Sequence, residues 1–141
     1  MPGTEDFFKQ YPPRTQPFRF AYLPALPHSP ATYLQGMARQ ARISSPGMIH
    51  HVMAHAIDDM PLFRDDDDRA AFRTMLKQGL RSTGFECYSW SLMTNHYHLE
   101  VRTNHKHLSE LMRPLNSRYA KHYNRRHSRR GYLFRERYNS V

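Results

Sequence analysis

The chain has 141 residues, 39% hydrophobic and 23% charged, a composition that suits one folded domain. No run approaches the roughly 18 apolar residues of a membrane-spanning helix, prolines interrupt the apolar stretch from Phe18 to Leu26 that a secretory signal would need unbroken, and the single cysteine, Cys87, cannot build an internal disulfide framework, so a cytoplasmic protein is expected. The formal net charge of +9 lies wholly in the last 40 residues, where eleven Lys or Arg from Arg102 onward face only Glu110 and Glu136 while the first 101 residues balance, and a field of one sign over one segment favours a polyanionic partner.

Residues 1–36 hold seven of the ten prolines and show no sustained period, so an irregular, disordered arm is expected there. Met37 opens the patterned part and is a candidate translation start. After the Pro46-Gly47 turn signal, Ile49 to Ile57 reads as a first strand. Asp65 to Asp68 supply an N-cap and negative charge for a helix whose apolar face is Phe72, Met75, Leu76, Gly79 and Leu80. A metal site in this acidic run is the other reading, and capping is the more ordinary one. Gly84 ends the helix.

Phe85 to Met93 reads as a second strand, with Trp90 and Tyr88 on one face and Phe85, Cys87 and Met93 on the other. Apolar residues on both faces predict a central position in the sheet. Thr94-Asn95 is a tight connection to the clearest alternation in the chain, His96 to Arg102, where Tyr97, Leu99 and Val101 oppose His96, His98, Glu100 and Arg102. A second helix carries Leu108, Leu111, Met112, Leu115, Tyr119 and Tyr123 on its apolar side, with a kink or break expected at Pro114. Tyr132 to Tyr138 reads as a last extended segment. The order β-α-β-β-α-β predicts an α+β, ferredoxin-like antiparallel sheet with helices on one face.

Two histidines at i and i+2 of a strand share a face, with Cα atoms roughly 6.5–7 Å apart, close enough for both imidazoles to hold one divalent ion. Glu100 lies next along that face as a candidate third ligand, and His51 or His55 of the first strand are alternatives whose register the sequence leaves open. His96 and His98 as plain polar residues of a solvated face is the competing explanation. In the basic segment arginine outnumbers lysine nine to two and is interleaved with Tyr119, Tyr123, Tyr132, Phe134 and Tyr138. Guanidinium forks and stacking rings suit phosphates and unpaired bases.

Asn95-His96-Tyr97-His98-Leu99 is followed by Leu108-Ser109-Glu110-Leu111-Met112-Arg113, Leu115-Asn116-Ser117-Arg118-Tyr119-Ala120, Tyr123-Asn124-Arg125-Arg126-His127 and Gly131-Tyr132-Leu133-Phe134-Arg135-Glu136-Arg137-Tyr138. Met37-Ala38-Arg39, Pro46-Gly47, His51-Val52 and Phe63 to Arg69 precede it. This ordered series resembles the single-tyrosine transposases with a His-hydrophobe-His (HUH) motif, especially the REP-associated kind, over Met37 to Val141. The resemblance implies that His96 and His98 hold Mg²⁺ or Mn²⁺ against the scissile phosphate of single-stranded or hairpin DNA. It also implies a tyrosine nucleophile that forms a 5′-phosphotyrosyl intermediate and releases a 3′-hydroxyl, so that a second strand can be joined without ATP.

The family's nucleophile lies on a further helix beyond the last strand, and no counterpart follows here. The expectation is therefore a domain over 37–141 lacking the final tyrosine helix, with no residue nominated as catalytic, that binds DNA but is impaired in cutting it. Uncovered apolar surface could support association, so a dimer is one form the sequence leaves open. The DNA contacts nominated are Asn95, Arg113, Arg118, Arg125, Arg126, Arg129, Arg130, Arg135 and Arg137. A non-catalytic nucleic-acid-binding module is the alternative reading, and a His-x-His enzyme of small molecules a weaker third that leaves the basic segment unexplained.

Overall fold

The structure, a computed structural model, describes residues 45–141. The arm expected over 1–36, and the segment 37–44 after it, lie outside the described residues. Strand β1 (Ile49–His55) turns Val52 and Ala54 inward and His51, Met53 and His55 outward. A single 3-10 turn (Ile57–Asp59) leads to helix α1 (Asp66–Thr83). Asp65 caps that helix through its side chain, accepting from the Asp68 backbone N–H at 3.0 Å, and this fixes the aspartate run as a start signal. At the other end Gly84 takes the left-handed conformation (φ 74°) and its N–H donates to the Leu80 carbonyl, a geometry that glycine adopts without a Cβ penalty.

Strands β2 (Glu86–Leu92) and β3 (His96–Arg102), helix α2 (Ser109–Arg126) and a short β4 (Asn139–Ser140) complete the chain. The sheet order is β2-β3-β1-β4 with every pairing antiparallel, the α+β arrangement expected from the element order. Tyr97, Leu99 and Val101 of β3 are fully buried and join Val52, Phe72, Leu76, Leu111, Met112 and Leu115 in one core between the sheet and both helices. Each such side chain contributes roughly 1.5–3 kcal/mol by leaving water. Buried phenols are tied as well as packed. The hydroxyl of Tyr119 donates to the Leu62 carbonyl, that of Tyr123 to the Pro61 carbonyl, and that of Tyr97 to Asn116 Oδ1, so α2 is pinned both to the segment before α1 and to the sheet. Among the described residues no helix is long and apolar enough to cross a membrane.

Four expectations need correction. Strand β2 is an edge strand, not a central one. Its face assignment also reverses midway, because a bulge between Cys87 and Ser89 shifts the register, pairing Cys87 with Val101 but Trp90 with Leu99. Cys87, Trp90 and Leu92 therefore share the core side, and Tyr88 is the extra residue of the bulge, left exposed. An inserted residue flips every later side chain, and strict alternation cannot show that.

The last strand lies at Asn139–Ser140 rather than over Tyr132 to Tyr138, where one isolated bridge pairs Phe134 with Ala56. Residues 133–135 still run beside β1, since Ile57 N–H donates to the Leu133 carbonyl and Arg135 N–H to that of His55. Finally, α2 is not broken at Pro114. That residue lies in the second turn, where its missing N–H costs a single intrahelical bond.

Candidate metal and nucleic-acid site

The outward face of the sheet gathers four imidazoles. Register places His55 opposite His96, and His51 opposite Glu100, so the two outward histidines of the first strand reach the His96-His98 pair. The rings of His96 and His98 stand edge to face with centroids 5.0 Å apart. His55 stacks on His96 at 4.6 Å and 14°, while His51 Nε2 lies 3.0 Å from His98 Nδ1. On the other side, Asn95 Oδ1 is 2.7 Å from His96 Nδ1. The histidines of the motif are half-buried, neither lost in the core nor standing free in water.

Burial lowers the pKa of His96, and the neighbouring His55 adds to the effect. Burial likewise lowers that of His98, reinforced by His96, His51 and His55. A pKa below the ordinary 6.5 leaves both rings neutral at pH 7, the form in which imidazole offers a lone pair to a metal. The donor chemistry fits a divalent ion held by two nitrogens and solvent. Among the described residues no group of three His, Cys, Asp or Glu side chains is arranged to hold one. Glu100 is exposed on the same face and accepts a hydrogen bond from Ser89 Oγ at 2.8 Å.

The nominated arginines divide into three groups. Arg126 is committed to the protein, reaching Asp65 at 2.7 Å, Asp68 at 2.6 Å and Asp67 at 3.2 Å. Asp68 is fully buried and also accepts from the Arg64 backbone N–H and from His127. Its burial alone would raise its pKa, but these hydrogen bonds outweigh that and hold it below the usual carboxylate value. The hydrogen bond from Arg126, with that from Asp68 N–H, brings Asp65 down to about 2. This clamp joins the start of α1 to the end of α2. It was not legible in the sequence, because its halves lie 58 to 61 residues apart.

Arg118 donates to Gln78, Arg129 to Asn124 and Arg135 to Asp59. Arg113, Arg125, Arg130 and Arg137 are exposed and make no ion pair among the described residues. Between α2 and the C-terminal segment runs an open groove of about 1670 Å³, with Arg113, Lys121, Arg135 and Arg137 along it and Tyr132 at its border, 84% exposed. His50 closes its floor with Nε2 buried and lacking a hydrogen-bond partner among the described residues.

The sequence model of the IS200-like transposase family matches residues 44–141. The chain belongs to that family. Among solved structures, a REP-associated tyrosine transposase bound to a REP hairpin aligns at 13% identity and a TM-score of 0.62, covering 74% of this chain and 61% of that one. A protein of Deinococcus radiodurans R1 described as a transposase aligns at 15% identity and a TM-score of 0.54, covering 73% of this chain and 84% of that one. At these identities the likeness is one of fold, and the chain spans under two thirds of the hairpin-bound transposase. No curated protein matches the sequence.

Proposed function

We propose that this chain is the metal-holding and DNA-binding part of a DNA transposase acting on single-stranded or hairpin DNA. The observation that carries the reading is a pair of neutral, half-buried imidazoles, His96 and His98, on the open face of a sheet whose β1 edge is bordered by the arginine-rich segment 133–141. When bound, Mg²⁺ or Mn²⁺ supplies a Lewis acid that polarises a phosphoryl oxygen. His96 and His98 would hold it, with Glu100, next along that face, as the candidate third ligand.

The chain's own contribution is to bind and orient the strand. Arg113, Arg135 and Arg137 line the groove behind the β1 edge. The backbone of Arg135 bonds that of His55, so the basic segment borders the histidine end of β1 as well as the groove. A nucleic-acid strand following it meets guanidinium groups first and the imidazole pair next. Arg118, Arg125, Arg129 and Arg130 extend the basic surface along α2 and the loop after it, while Arg126 contributes by holding that loop in place. The similar hairpin-bound transposase supports hairpin DNA as the partner class.

No described tyrosine is nominated as nucleophile. Tyr97, Tyr119, Tyr123 and Tyr138 are buried, and burial pushes the hydroxyls of Tyr97 and Tyr119 far above the ordinary phenol value. Tyr88 lies beyond Glu100 at the far end of the sheet, bonded to Glu86. On this reading the described residues bind DNA without cutting it, and Tyr132, exposed at the groove, is the tyrosine that burial does not exclude. Incubation with a hairpin-bearing single strand and Mn²⁺ should give a salt-sensitive complex and no covalent adduct. A protease-sensitive adduct that disappears in Tyr88→Phe, Tyr132→Phe or Tyr138→Phe would show that one of these tyrosines attacks.

A further inference from the structure

A ring that binds a metal through one nitrogen must carry its proton on the other, and what holds that proton decides which nitrogen is offered. Both rings of the motif have Nδ1 occupied by a neighbour. Asn95 Oδ1, which can only accept, sits 2.7 Å from His96 Nδ1, so His96 carries its proton on Nδ1 and leaves a lone pair on Nε2. The 3.0 Å contact between His98 Nδ1 and His51 Nε2 holds one proton that either ring can supply. If His98 donates, its Nε2 is a lone pair and His51 is neutral, protonated on its own Nδ1. If His51 donates, His98 is protonated on Nε2 and cannot bind an ion there. His55, stacked on His96 at 4.6 Å, fixes the ring plane without touching either nitrogen through a hydrogen bond among the described residues.

We propose that Asn95 and His51 are positioning residues that assign the protons of the two motif histidines to Nδ1 and so present both Nε2 atoms to one cation. This rests on the metal reading above and adds how the pair is set. Under this assignment His51 accepts from His98 through Nε2, so that atom is not offered to the cation. Asn95, nominated from sequence as a DNA contact, acts here through His96.

The test uses the 141-residue protein in two arms. In the metal-free protein, long-range ¹⁵N–¹H correlation NMR should find His96 with its proton on Nδ1. Asn95→Ala should move it toward the Nε2–H form that free histidine favours, and Asn95→Asp, which keeps the accepting oxygen, should restore Nδ1–H. In the second arm, Mn²⁺ affinity read by electron paramagnetic resonance should fall about 10- to 100-fold in Asn95→Ala and in His51→Ala, recover in Asn95→Asp, and vanish in His96→Ala. Finding the His96 proton on Nε2 in the unmodified protein overturns the proposal. So does wild-type Mn²⁺ affinity in Asn95→Ala and His51→Ala when His96→Ala has lost it, an outcome that spares the metal reading. Mn²⁺ binding unchanged in His96→Ala sinks the metal reading and the role assigned to Asn95 with it.

Discussion

Strand β3 is two different objects depending on the side from which it is viewed. Tyr97, Leu99 and Val101 face the helices and are sealed from water, whereas His96, His98 and Glu100, one residue away in each case, face outward. The inward set holds the fold and the outward set is free to do chemistry, so the same seven residues can be altered on one side without the other responding. A comparable division separates two neighbours in the basic helix, since Arg126 is tied to three aspartates while Arg125 beside it makes no ion pair among the described residues. Sign of charge alone does not tell a structural arginine from one available to a phosphate. What decides is whether an acidic partner is brought opposite by the fold.

Leu99→Ala should cut stability most, by about 2–5 kcal/mol, because a fully buried side chain leaves a cavity. Urea denaturation would read this as a lower midpoint at unchanged slope. Asp68→Ala comes next, at about 1–3 kcal/mol, since it strands donors that a buried carboxylate now satisfies. The same clamp makes stability depend on pH. Asp65 and Asp68 have folded-state pKa values below the ordinary 3.8, so their contribution is present above about pH 4 and is lost as pH falls through the folded value of about 2 for Asp65. Thermal melts between pH 5 and pH 2 should show that decline, and it should be shallower in Asp68→Ala.

The smallest stability effect belongs to the outward face. Replacing His96 and His98 together by alanine should change unfolding free energy by no more than about 0.5 kcal/mol. Were it to unfold the protein, the two sides of β3 would not be separable as described. For the arginine contrast, Arg137→Ala should weaken hairpin binding and lower the salt slope by about one unit. Arg126→Ala should act on the melting temperature first. Anisotropy titrations from low to moderate salt distinguish the two, and a hairpin affinity indifferent to salt would contradict the phosphate role altogether.

Much of this was legible in the sequence. Alternation in His96 to Arg102 gave the two faces of β3, the Asp65 and Gly84 signals bounded α1, and the HUH pattern pointed to the imidazole pair. The missing parts share a physical cause, which is that they depend on register or on distant partners. The bulge after Cys87 inverts the side-chain phase of β2, and only pairing reveals it. Which first-strand histidines reach His96 and His98 likewise depends on the β1–β3 register. The Asp68–Arg126–His127 cluster joins two helix ends that the sequence reads as a start signal and a DNA-binding run. The last strand is not legible at its true place because aromatic residues at 132–138 have strand character, while the ladder forms only at Asn139–Ser140.

If His96 and His98 hold a divalent cation on the open side of the sheet, removing both must abolish its uptake. Equilibrium binding of Mn²⁺ to the intact chain and to the His96→Ala, His98→Ala double variant, each confirmed folded by circular dichroism, tests it most directly. One ion should bind the intact chain and none the folded variant. Equal binding by both would contradict it.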